Sequence, residues 1–179
     1  ISLPGGGPTY NNALTATISC ATAGVTLYYT MDGSTPTTGS LTCGGALPLD
    51  GGTGPLKVLA VKAGYADSTI ASAPCAFQAA TPTISPDGGT NLANDQTVTL
   101  SCATTGATIY YSTNGDPPAT LYVGAFALSV NATVKAKAVK AGYAESAVTE
   151  AAFTFQAATP GISLPGGGPT YNNALTATI

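Results

Sequence analysis

TVTLSCATTGATIYYSTNGDPP, Thr97 to Pro118, holds two strands and the turns that bound them. In TVTLSC the apolar residues Val98, Leu100 and Cys102 alternate with Thr97, Thr99 and Ser101, the period of two expected of a strand buried on one face. Gly106 precedes a second strand, ATIYYST, and the cluster NGDPP at Asn114 to Pro118 supplies the turn after it. Working outward, LYVGAFALS, ATVKAKAVKAGY and AVTEAAFTF follow at short spacing between Gly, Pro, Asn and Asp residues, and no helical period exceeds two turns. This pattern predicts an all-β chain of antiparallel β-sandwich modules.

The same unit occurs twice. SCATAGVTLYYTMDG at Ser19 to Gly33 returns as SCATTGATIYYSTNG at Ser101 to Gly115, an offset of 82, and VKAGYADS at Val61 to Ser68 returns as VKAGYAES at Val139 to Ser146, an offset of 78. The first copy therefore carries four extra residues between Gly33 and Leu56, where LTCGGALPLDGGTG reads as a longer loop. Ile1 to Ile18 and Ile162 to Ile179 are identical, which sets a longer period of 161 residues. The expected organisation is module 1 at 1–80, module 2 at 81–158, and the start of a third module at 159–179. Two strands without a covering sheet are marginal in water. The last segment is expected either to continue into a further module or to be donated as a strand to another subunit. QAATP joins the modules, and Pro82 and Pro160 stiffen the junctions by fixing φ. Modules stacked end to end would repeat every two units at about 70 to 80 Å.

Composition narrows the chemistry. Charged residues make up 7 % of the chain, with five Lys, no Arg, six Asp and two Glu, and there is neither His nor Trp. Histidine acid–base catalysis, histidine metal sites and tryptophan sugar platforms are excluded, and five lysines make no basic footprint for nucleic acid. No apolar run approaches the roughly 20 residues of a membrane span. No DxDxDG calcium loop and no pair of carboxylates in a repeated context is present, and Asp32 in MDGSTP and Asp116 in NGDPP read as turn residues. The chain is read as a non-enzyme that needs no cofactor.

TISPDGGT at Thr83 to Thr90, TVTLSCATTGATIYYSTNGDPP and ATVKAKAVKAGYAESAV at Ala132 to Val148 resemble the chitobiase/β-hexosaminidase C-terminal module, also described as fibronectin-type-III-associated. The first unit resembles it through TLYYTMDGSTPT at Thr26 to Thr37 and LAVKAGYADS. The resemblance implies tandem immunoglobulin-like or fibronectin-III-like sandwiches of the kind that accompany bacterial secreted glycosidases and repetitive surface proteins. It carries over no catalytic motif.

Four groups of side chains are candidates for a role beyond the fold. Cys20 and Cys102, in phase with apolar neighbours, are expected as buried thiols. Cys43 and Cys75 occur only in the first module and form a candidate disulfide, with Cys20 to Cys75 the alternative because Cys75 aligns with Phe153. Tyr28 and Tyr29, repeated as Tyr110 and Tyr111, are adjacent on strands, so one ring of each pair faces in and one out. The outward rings, with Tyr10 and Tyr122, are candidates for contact with protein or sugar, or for inert exposure. Leu59 stands where the second module has Lys137, so the outer face of PLKVLAV, Leu59 and Val61, is either an inter-module or lateral interface or a different core register. Asn131 in NAT is the one Asn-x-Ser/Thr sequon and a candidate glycosylation site.

Together these readings predict a structural repeat protein of an extracellular bacterial fibre, stalk or surface filament. Its expected partner is itself, with cell-surface polysaccharide a second candidate, and neither nucleic acid nor a membrane span in this segment. Carbohydrate-binding or spacer modules of a secreted glycosidase, or the stalk of an adhesin, are the alternatives.

Overall fold

The alternation of TVTLSC becomes a strand in which Val98 and Leu100 are buried while Thr97, Thr99 and Ser101 face solvent. The structure, a computed structural model, describes residues 1–162. The identical segment at 162–179 therefore lies, beyond Ile162, outside the described residues, as does all but 159–162 of the expected start of a third module. The described residues carry sixteen strands and no helix.

In the first unit these are β1 (Thr9–Tyr10), β2 (Leu14–Thr17), β3 (Thr26–Thr30), β4 (Leu41–Cys43), β5 (Ala46–Leu49), β6 (Leu56–Val61), β7 (Ala71–Ala73) and β8 (Ala76–Phe77). In the second they are β9 (Thr83–Ser85), β10 (Gly89–Leu92), β11 (Gln96–Ser101), β12 (Thr108–Ser112), β13 (Thr120–Leu121), β14 (Phe126–Leu128), β15 (Ala132–Val139) and β16 (Thr149–Phe155).

The second unit is a sandwich of a five-stranded sheet, β10-β16-β15-β12-β13, on a three-stranded one, β14-β11-β9. All pairings are antiparallel except that of β10 with β16, so the first part of the chain changes sheet between β9 and β10. The first unit repeats this plan with β4-β3-β6-β7, β2-β5 and a short parallel β1-β8 pair. Each unit has a core of its own. Phe77, Leu56 and Ala16 anchor the first, and Phe153, Val134 and Val98 the second. Each large apolar side chain so buried contributes on the order of 1.5 to 3 kcal/mol.

Two expectations change here. The stretch expected as a long loop contains β4 and β5, because Leu47 and Leu49 alternate into the core opposite β2 while Cys43 pairs with Leu27; only Asp50 to Pro55 remains as loop. Leu59 is not at a free interface. It lies across from Tyr28 in the β3–β6 pair and is buried, and Val61, opposite Thr26, is half-buried.

Candidate functional site: the joint between modules

Sequence places a copy of K-A-G-Y-A after β6 in the first module and after β15 in the second, and the chain builds both copies alike. In the second, Tyr143 N–H donates to Lys140 O at 3.1 Å, Ser146 N–H donates to Ala138 O at 3.0 Å, and Ser146 Oγ accepts from Ala138 N–H at 2.8 Å. In the first, the corresponding bonds join Tyr65 to Lys62 at 3.0 Å and Ser68 to Ala60 at 3.0 Å twice. Each lysine ammonium sits over its tyrosine ring, 4.6 Å away at Lys62 and 4.3 Å at Lys140.

The two loops differ in what they meet. Tyr143 enters the core of module 1, where it is 8 % exposed and meets Phe77 edge-on at 5.1 Å. Its hydroxyl donates to Asp50 Oδ1 at 2.7 Å, and Lys140 Nζ donates to the same oxygen at 2.7 Å. Around this centre the main chains interlock. Ala144 N–H donates to Phe77 O and Ala79 N–H to Ala144 O, both at 2.9 Å, and Gly52 N–H donates to Gly142 O at 2.8 Å. The last bond needs the close approach of Gly51 to Gly142: a Cβ on Gly51, whose φ is +122°, would stand 3.0 Å from Gly142 O and 3.2 Å from its Cα. Only glycine fits there.

A second set of bonds holds the linker. Ala80 N–H donates to Thr104 Oγ1 at 2.8 Å, Cys102 Sγ donates to Ala80 O at 3.2 Å, and Asn12 bridges to Ala103 O and Thr105 N–H at 3.1 and 2.8 Å. Thr104, Ala79 and Pro82 are buried as a result. The joint is thus a fixed polar-rimmed contact around an aromatic pair, with most of its donors and acceptors supplied by main chain, whose position a folded sheet already determines.

Charge follows the geometry. The Lys140 and Tyr143 hydrogen bonds hold the Asp50 carboxyl below its usual range. Lys140 is held higher by Asp50, and Tyr143 is raised by burial and then by its bond to Asp50.

The sequence-selected residues fall in several places. Cys102 is half-buried at the joint, but Cys20 is exposed, contrary to expectation, because among the described residues the face of module 1 that corresponds to the one covered in module 2 has no neighbour on it. Cys43 and Cys75 are free thiols, not a disulfide; both are raised above the ordinary thiol value by burial, Cys75 in the core itself and Cys43 packed against it. Of the paired tyrosines, Tyr29 and Tyr111 pack on their cores and Tyr28 and Tyr110 lie on the outer faces. Tyr111 stacks on Phe126 at 4.5 Å, and Tyr122 joins the same core, its hydroxyl accepting from Leu100 N–H at 3.1 Å. Tyr10 packs 6.0 Å from Phe77. These rings are therefore largely structural. Asn131 is exposed, and its side-chain oxygen accepts from Phe155 N–H at 2.7 Å. Asp32 and Asp116 close their turns with Ser34 and Asn114.

Tyr143, Asp50, Thr104 and the two glycines were not singled out from sequence. The available signal was the repetition of K-A-G-Y-A itself: an invariant aromatic at a turn tip, where exposure would otherwise favour a polar residue.

Beside the joint a cleft of about 570 Å³ is lined by Tyr29, Met31, Asp32, Leu41, Gly52 and Gly142. Its one carboxylate, Asp32, is held by the N–H and hydroxyl of Ser34, which keep it below its usual range. Among the described residues no group of three or more Cys, Asp or Glu side chains is placed to hold a metal ion, and no helix is long and apolar enough to cross a membrane.

Comparison with known proteins matches the family model described as "Chitobiase/beta-hexosaminidase C-terminal domain" to residues 4–72 and again to 86–150. No curated protein matches the chain in sequence. Among solved structures, a chain described as "Biofilm associated protein - BSP domain" is 16% identical with a TM-score of 0.30; the match covers 82% of this chain and 28% of that one.

Proposed function

Because this chain belongs, through both of its modules, to the chitobiase/beta-hexosaminidase C-terminal domain family, we propose that it works as a load-bearing tandem-repeat protein of an extracellular bacterial fibre, stalk or surface filament, without catalytic activity of its own. The observation that carries this reading is the joint. A spacer that only separates a catalytic unit from its substrate works with a flexible linker, whereas here Tyr143 of module 2 completes the core of module 1 before it, and Pro82 and Ala79 of the linker are buried. Tandem arrays whose neighbours share interface energy resist bending and unfold cooperatively along the axis.

Self-association is the expected mode of partnership, with surface polysaccharide secondary.

Immunogold electron microscopy of intact cells that make the protein, using antibody to the folded chain, tests the reading. Gold aligned along surface appendages is the expected result. Gold confined to the cell interior, or release of the protein with a soluble glycosidase retained on chitin, would overturn it.

A further inference from the structure

Module 1 carries its own copy of the half-joint that module 2 uses, and among the described residues that copy is exposed. We propose that this face, centred on Tyr65 and Lys62, docks onto the trailing end of module 2 in a second copy of this chain, so that copies associate head to tail through a looser counterpart of the internal joint. The inference rests on the filament reading and names the surface by which it would be built.

Three observations carry it. The first is equivalence: Lys62, Tyr65, Cys20 and Thr22 align with Lys140, Tyr143, Cys102 and Thr104, all four of which engage module 1. The second is exposure. Tyr143 is 8 % exposed but Tyr65 is 62 % exposed, and Thr22 and Cys20 are exposed where Thr104 and Cys102 are not. Tyr65 is nevertheless held as if docked, by the same serine clamp and the same lysine over its ring. A loop already ordered in its bound form loses little entropy on association.

The third is the partner surface. At the trailing end of module 2, Phe155 N–H donates to Asn131 Oδ1 at 2.7 Å where Phe77 N–H donates to Gly52 O at 2.8 Å, and Gln156 N–H donates to Leu92 O where Gln78 N–H donates to Tyr10 O, both at 3.0 Å. Phe155, Ser129 and Val130 therefore stand where Phe77, Asp50 and Gly51 stand in the internal joint. Val130 is 68 % exposed and Ala157 and Pro160, the counterparts of buried Ala79 and Pro82, are exposed. An uncovered ring on one end and an uncovered valine beside a phenylalanine on the other are complementary. Such a contact between unlike surfaces is heterologous and extends into an open filament wherever its rotation does not close a ring.

The outer joint is the weaker of the two. Ser129 replaces Asp50, so Lys62 gains no carboxylate, and Val130 replaces the glycine that allows the closest backbone approach. Reversible association follows.

Sedimentation velocity of the full chain over a range of concentrations tests the interface. The expected result is concentration-dependent growth, weakened at least tenfold by Tyr65→Ala, as truncating a central aromatic anchor does. Ser129→Asp, which restores the partner for Lys62, is expected to tighten it about threefold. Far-ultraviolet circular dichroism and melting of both variants should match the parent chain, since neither residue belongs to a core. A parent chain monomeric at every concentration, or association indifferent to both substitutions, would overturn the interface. The fibre reading would then still be decided by surface labelling.

Discussion

Tyr143 does at the joint what Phe77 does inside its module, with the addition of a hydroxyl that must find a partner once the ring is buried. Asp50 is that partner, and it also takes Lys140. Tyr143→Ala should therefore cost about 3 kcal/mol of coupling between the modules, seen in denaturant unfolding as two transitions in place of one. Tyr143→Phe, which keeps the ring and leaves Lys140 on Asp50, should cost about 1 kcal/mol. The ionisations set a pH window. Asp50, with its lowered native value, contributes stability that is complete above the titration of an unfolded aspartate and fades as acid reaches the lower native one. Lys140 and Tyr143, both raised, contribute stability that is complete below their unfolded values and fades as pH rises through the native ones. Asp50 is open to solvent, so screening keeps both effects modest. The methyl resonance of buried Ala79 should stay constant from about pH 5 to 9 and shift on both sides; a flat profile into acid would contradict the assigned role of Asp50.

Among the elements, the loop from Asp50 to Pro55 is where the modules diverge. Module 1 reaches its joint through Gly51 and Gly52, and Gly51→Ala would place a methyl 3.0 Å from Gly142 O in a conformation that L residues rarely adopt. That substitution should open the joint, lengthening the distance between spin labels placed on the two modules. Gly64→Ala is the control, since its φ of +79° carries the same kind of strain while no atom lies within 4 Å of the added Cβ. Thr104→Val probes the linker. It leaves the Ala80 N–H without the acceptor it has at 2.8 Å and should cost about 1 to 2 kcal/mol in the same unfolding measurement. The strand elements were legible in sequence wherever alternation was strict, as in β11 and β15. They were not legible in LTCGGALPLDGGTG, because Gly44 and Gly45 separate two short strands and Pro48, inside the second, reads as punctuation.

At the scale of the molecule the joint is asymmetric. The core of module 1 includes Tyr143 from its neighbour, whereas the core of module 2 draws only on residues 84 to 155. Residues 81–158 alone should therefore fold with nearly their stability in the chain, while residues 1–80 alone should melt about 10 °C lower; equal losses by calorimetry would refute the asymmetry. Its structural consequence is that module 1 is finished by the module that follows it, which makes its stability a property of the pair.

Strand alternation, turn chemistry, the two-fold repeat and the family were determined by the sequence alone, because side-chain period and Gly, Pro and Asn turns are local and survive comparison of one copy with the other. Low charge and the lack of histidine bounded the chemistry in the same way. Only the tertiary structure decided which copy of K-A-G-Y-A is buried, that Cys102 is covered and Cys20 is not, and that Asp50 rather than Ser129 meets a lysine. Identical local sequences adopt identical loops, and what distinguishes them is the surface each loop meets across a boundary that no local pattern encodes.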